Sequence, residues 1–123
     1  MKLKDFLLEM PVKIDTIRTR KFGDLAVEIR TSDPASGQSE HSPPHIHIIW
    51  IANGVRLDVP VLISRPPNYA TDKSVKFKPA ELEHIVFNYV IYNYKQLLQT
   101  FNQAQLNIDP STTYRKLQQG ETI

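Results

Sequence analysis

The sequence predicts an α+β fold: a small antiparallel sheet of about four strands, arranged as two hairpins and packed on one long C-terminal helix. Three observations point there. Residues 25–31 alternate, with Leu25, Val27 and Ile29 on one face and Ala26, Glu28 and Arg30 on the other. Asn53-Gly54 separates two apolar runs, and a type I′ hairpin turn needs positive φ at both of its central residues. From Ala80 to Gln105 no glycine or proline interrupts the chain, which suits one long helix starting at Pro79.

The elements follow in chain order. Residues 2–9 suggest a short helix or turn, ended by Met10-Pro11 because proline pushes its predecessor out of the α region. Val12 to Thr19 is rich in β-branched residues and reads as a strand, hairpinned through a turn at residues 21–24 to the alternating strand. Ser32 to Ser42 carries Asp-Pro and Ser-Gly and reads as a loop. A two-residue loop at Asn53-Gly54 sets Ala52 opposite Val55, Trp50 opposite Leu57, Ile48 opposite Val59 and Ile46 opposite Val61, all on one apolar face. The other face carries His45, His47, Ile49 and Ile51 against Arg56, Asp58, Pro60 and Leu62. Pro60 opposes His47 with its nitrogen turned outward, so the fourth strand is expected to be an edge there or to stop near Pro60. Residues 65–78 form a long basic loop opened by Pro66-Pro67. The middle of the long helix, residues 85–94, is apolar or aromatic nearly all round, more than one sheet face needs. That excess suggests a second burial partner for residues 85–101: the N-terminal helix, a second copy of the chain, or a small partner protein. Residues 1–106 then form a single domain, and 107–123 a polar tail that is disordered or a short arm.

Composition excludes several classes. With 123 residues, 41% hydrophobic and 23% charged, the chain has the profile of one globular domain. No cysteine is present, so disulfides and thiolate zinc sites are excluded, which suits a cytoplasmic location. The apolar stretch Phe6-Leu7-Leu8 is too short for a signal peptide core, and no segment is long enough to span a membrane. A net charge of +2 does not by itself imply nucleic acid. Arg18, Arg20 and Lys21, and separately Arg65, Lys73, Lys76 and Lys78, could touch phosphate, though solvated surface charge is the commoner explanation. Tyr89, Tyr92 and Tyr94, with Phe87 and Phe101, sit at helical spacing and read as packing; Tyr69 in the basic loop is a candidate for base stacking.

Candidate chemistry concentrates in one stretch. His41-Ser42-Pro43-Pro44-His45-Ile46-His47 holds three of the four histidines. His45 and His47 lie two apart on a strand, so they project to one face, with bases roughly 7 Å apart. Neutral imidazoles titrate near neutral pH, shuttle protons and bind transition metals. His41, His45 and His47 are therefore candidate ligands for a divalent metal such as zinc, whose bound water becomes acidic enough to attack at neutral pH. Asp58, diagonal to His47 across the hairpin, is a candidate ligand or orienting group; Glu28 is a weaker one. Without metal, His45 and His47 would serve as general base and general acid, with Asp58 beside them and Arg56 stabilising negative charge, as phosphodiester cleavage requires. The same histidines could instead satisfy local backbone groups. His84 reads as a surface or packing residue. A histidine-triad nucleotide hydrolase would need histidine where Ile49 stands, and a cupin an acidic residue within Ile48-Ile49-Trp50-Ile51. No glycine-rich phosphate loop or nucleophile elbow occurs.

The string Glu40-His41-Ser42-Pro43-Pro44-His45-Ile46-His47 resembles the signature of a bacterial family, domain of unknown function 4160. Leu57-Asp58-Val59 is similar to that family's next core strand and residues 97–102 to its terminal helix, so the resemblance covers roughly residues 40–104. It implies a compact sheet with a C-terminal helix, and a toxin–antitoxin association in accessory genes. The N-terminal hairpin, the basic loop and the long helix depart from the family's pattern. Two functions are therefore expected. One is hydrolysis of a phosphodiester, RNA first, by His45 and His47 with or without a metal. The other is a non-catalytic interaction or regulatory module whose histidines are structural. Nucleic-acid binding without catalysis, through the basic residues, ranks third.

Overall fold

In the computed structural model, residues 10–31, 43–71 and 75–122 are described. Four strands, β1 (Met10–Arg18), β2 (Asp24–Thr31), β3 (His45–Ala52) and β4 (Val55–Leu62), form one antiparallel sheet in the order β1-β2-β3-β4. The two hairpins thus join edge to edge through β2 and β3. The expected segment 2–9 and the loop 32–42, with His41, lie outside the described residues.

Hairpin β3–β4 takes the register its turn dictates. Asn53 and Gly54 both have positive φ, 52° and 78°, and Ala52↔Val55, Trp50↔Leu57, Ile48↔Val59 and Ile46↔Val61 pair as expected. Leu25, Val27, Ile29, Ile46, Ile48, Val59 and Val61 are fully buried, so alternation delivers one continuous apolar face across β2, β3 and β4. β4 is an edge strand, and Pro60 sits in it opposite His47. Among the described residues its outer side meets Val61↔Tyr69 as an isolated bridge, with the Ala70 amide donating to the Pro60 carbonyl at 3.0 Å and the Leu62 amide to the Asn68 carbonyl at 2.8 Å.

The helical half differs from expectation. Instead of one long helix, the described residues contain α1 (Ala80–Tyr92), α2 (Tyr94–Ala104) and α3 (Pro110–Gln118). The break falls at Asn93, at φ −111° and ψ 19°. Its side-chain amide donates to the Tyr89 carbonyl at 2.9 Å, where its own backbone amide also donates at 3.1 Å. An asparagine side chain that competes for a helical carbonyl ends the helix without glycine or proline. The Asn93 carbonyl then accepts from Leu97 at 2.8 Å and starts α2. The break lets two separate stripes meet one core: Leu82, Val86 and Val90 from α1, and Leu97, Thr100, Phe101 and Ala104 from α2.

Residues 107–122 are not simply a tail. Asp109 caps α3 by accepting from the Ser111 amide at 3.1 Å, and Pro110 opens the first turn, where its missing N–H costs nothing. Tyr114 of α3 is 1% exposed. Its hydroxyl lies 2.6 Å from that of Tyr89, which donates to Asp15 Oδ2 at 2.7 Å from β1. Burial pushes both phenols well above their ordinary pKa. The apolar excess of α1 is therefore met largely within the chain: Tyr89 by α3 and β1, and Phe87 by Tyr69, 5.4 Å between ring centroids. Ile91 and Tyr92 stay exposed, 48% and 82%. Among the described residues, no helix is long and apolar enough to cross a membrane.

Candidate functional site

The site lies on the sheet face opposite the apolar one. β3 contributes His45 and His47, β4 contributes Asp58, and β2 contributes Glu28 and Arg30. Cross-strand partners share a face, and Glu28 pairs directly with His47. Asp58 stands two pairs further along, opposite Ile49, diagonal to His47 as the hairpin register requires.

His47 Nδ1 lies 2.8 Å from Asp58 Oδ1. Arg30 Nη2 donates to the other oxygen, Asp58 Oδ2, at 2.7 Å. The chain of contacts Arg30–Asp58–His47 therefore spans β2, β4 and β3. His45 Nδ1 lies 2.8 Å from the Pro43 carbonyl. An oxygen acceptor facing a ring nitrogen requires the proton on that nitrogen, because two lone pairs repel. Both imidazoles thus carry their hydrogen on Nδ1 and leave Nε2 as the free position. The rings are edge to face, 5.1 Å between centroids, and His45 also contacts Phe101 of α2 at 5.8 Å.

His47 is 7% exposed. Burial lowers its pKa below the ordinary 6.5, and Arg30 and His45 add to that; the hydrogen bond and the charge of Asp58 oppose it without cancelling it. His47 is therefore neutral at pH 7, with an Nε2 lone pair able to take a proton, and the Asp58 carboxylate stands ready to stabilise the imidazolium that results.

The remaining candidates distribute unevenly. Arg56 pairs with Ile51, four residues from Pro60, the partner of His47. That separation is about 13 Å along the strand. Among the described residues it contacts neither histidine nor Asp58. Arg30, which does contact Asp58, was assigned by alternation to the right face, but its approach to Asp58 depends on how the two hairpins join. His41 lies outside the described residues, and among those described no three His, Cys, Asp or Glu side chains come together as a metal cage. A zinc ion would meet the Nε2 atoms of His45 and His47 and needs a further ligand beyond this pair.

Four of the basic candidates have partners, and Lys73 lies outside the described residues. Arg18 pairs with Asp24 at 3.8 Å and Lys21 with Glu81 at 3.1 Å. Arg65 stacks on the Tyr94 ring at 4.0 Å, and Lys76 sits 5.7 Å from the Tyr69 ring. Tyr69 is a packing residue: its hydroxyl donates to Glu83 Oε2 at 2.8 Å and accepts from the Phe77 amide at 3.1 Å. Burial, reinforced by Glu83, pushes its phenol up to about 12. Compared with known proteins, the chain matches no family model, no curated protein and no solved structure.

Proposed function

We propose that this chain is a histidine-dependent hydrolase of phosphodiesters, RNA first among them, of the kind a toxin–antitoxin-like accessory gene would encode. The observation that supports it is the shared geometry: both histidines are held through Nδ1 by an oxygen, at 2.8 Å each, leaving two adjacent Nε2 atoms. In the reaction, neutral His47 takes the proton of the attacking hydroxyl at Nε2 while that oxygen bonds phosphorus. The bond from phosphorus to the leaving oxygen breaks, and that oxygen takes the proton that His45 has drawn from solvent onto its own Nε2. Asp58 stabilises the His47 imidazolium, and Arg30 fixes the Asp58 carboxylate. A divalent metal such as zinc on the two Nε2 atoms would supply a bound hydroxide in place of this proton relay.

The test is cleavage of short RNAs by the untagged protein, with and without chelator. His45→Ala and His47→Ala should each lower the rate by roughly 10²–10⁴-fold. Cleavage that survives the double replacement overturns the proposal, and loss on chelation assigns the metal route.

One observation favours a second reading: His47 is 7% exposed, and its contacts tie three strands together. In that reading the cluster is structural, and the chain is an interaction or regulatory module. Exposed Ile91 and Tyr92 on α1 would meet a second copy or a small partner protein. It predicts no RNA cleavage by the wild type, a lower melting temperature for His47→Ala, and a dimer or complex by light scattering.

A further inference from the structure

At the end of the sheet away from the histidines, a cleft of about 490 Å³ opens between the turn joining β1 to β2 and the first turns of α1. Residues 18–22 line one side, Glu81 and Ile85 the other. Glu28, the partner of His47, stands four residues beyond Asp24, the partner of Arg18, so about 13 Å of β2 separates the two places. The turn is fixed from within. The Thr19 amide and hydroxyl both donate to the Gly23 carbonyl, at 3.2 and 2.7 Å, and the hydroxyl oxygen accepts from the Phe22 amide at 2.9 Å. Arg18, Arg20 and Lys21 are thereby presented at the cleft before any ligand arrives, which lowers the cost of binding one. Their charge is only partly answered. Arg18 meets Asp24 at 3.8 Å and Lys21 meets Glu81 at 3.1 Å, but all four side chains are more than half exposed, where such pairs are weak and exchange readily. Exposed Arg20 has no ion pair or hydrogen bond among the described residues. The rest of the lining is largely apolar, from Phe22 and Ile85, both half-buried against the core.

We propose that this cleft binds one nucleotide, its phosphate on Arg18 and Arg20 and its base against Phe22 and Ile85. The volume suits a ligand of that size. A guanidinium presents paired N–H donors that match two phosphate oxygens, and Arg20 has no carboxylate to displace first. A bare anion leaves the apolar wall unused, and an apolar ligand leaves Arg20 without a partner; a nucleotide answers both. Every base has a flat apolar face, so the cleft selects for the phosphate and not for base identity. Glu81 works against the ligand, because its carboxylate repels the phosphate and holds Lys21. The site stands apart from the histidines and does not depend on their cleaving RNA.

The experiment titrates adenosine 5′-monophosphate, adenosine and inorganic phosphate separately into the untagged, ¹⁵N-labelled protein at low salt. The nucleotide should move the amide resonances of residues 18–23 and 81–85, bind more tightly than either of its parts, and weaken as salt is added. Arg20→Ala should lower its affinity roughly tenfold while melting within about 2 °C of the wild type, as an exposed side chain without contacts predicts. Glu81→Gln should raise the affinity roughly two- to fivefold, a gain that damage to the fold cannot produce. Adenosine or phosphate binding as tightly as the nucleotide overturns the inference, as does a Glu81→Gln protein that binds no more tightly than the wild type. So does a nucleotide that moves only the resonances around His45 and His47, or none at all. Sedimentation with phosphatidylserine vesicles by a protein that ignores the nucleotide would also overturn it and make the cleft a lipid-headgroup site.

Discussion

Replacing Asp58 by alanine removes the acceptor of two hydrogen bonds at once, and the structure sets what each is worth. The His47 bond is the larger. Its ring is buried, the acceptor is charged, and the Nδ1 hydrogen would be left without a partner, which costs about 1.5–3 kcal/mol. The Arg30 contact is shorter, but its side chains are 35% and 28% exposed, so solvent screening holds it below about 1 kcal/mol. Together they give about 2–4 kcal/mol. For a domain of 123 residues, 1 kcal/mol shifts the melting temperature by about 4 °C, so Asp58→Ala should melt roughly 8–15 °C below the wild type. Asp58→Asn separates the terms, because its amide oxygen still accepts from His47 while the charge facing Arg30 is gone; it should lose less than half as much. The assay is thermal unfolding by circular dichroism at pH 7. An Asp58→Ala protein that melts within 2–3 °C of the wild type would refute the chain of contacts from Arg30 through Asp58 to His47.

Three further outcomes follow from the same structure. Because His47 binds its proton less readily folded than unfolded, the unfolded chain gains a proton first as pH falls through 6.5. Stability contributed by neutral His47 is thus complete above 6.5 and lost on acidification towards its lowered folded pKa, and His47→Gln should flatten that part of a melting-temperature profile measured from pH 8 to 5. Tyr89→Phe removes the hydroxyl shared between Asp15 and Tyr114 and should cost about 1–3 kcal/mol, with faster amide exchange over α3. Asp109→Ala removes the α3 cap and should cost about 1 kcal/mol, visible as faster exchange at residues 111–114 with β3 and β4 unaffected.

What the sequence made legible was local. Asn53-Gly54 specified the hairpin because only a turn with two positive φ values closes it, and one correct pair fixes every other pair along two strands. That register placed His45, His47 and Asp58 on one face, and it put Pro60 on an edge. The break at Asn93 was not legible, because residues 80–105 hold no glycine or proline and the signal was one side-chain amide competing for the Tyr89 carbonyl. Asp109-Pro110 is a cap followed by a first-turn proline, a readable signal that the polarity of residues 107–123 obscured. Arg30 and Glu28 illustrate a different limit. Alternation gave their face, but their distance from His47 and Asp58 depended on how two hairpins dock, which no single strand encodes. Arg56 shows the converse: it shares the face of Asp58, yet the register sets it about 13 Å along the strand from His47.

The most direct measurement is long-range ¹H–¹⁵N NMR of the imidazole nitrogens in the untagged protein, followed through a pH titration. The account predicts a hydrogen on Nδ1 of both His45 and His47, an unprotonated Nε2 on His47 at pH 7, and a His47 midpoint below 6.5. An Nε2–H tautomer at His47, or a midpoint above 6.5, would contradict it, because neither leaves His47 a free base held by Asp58.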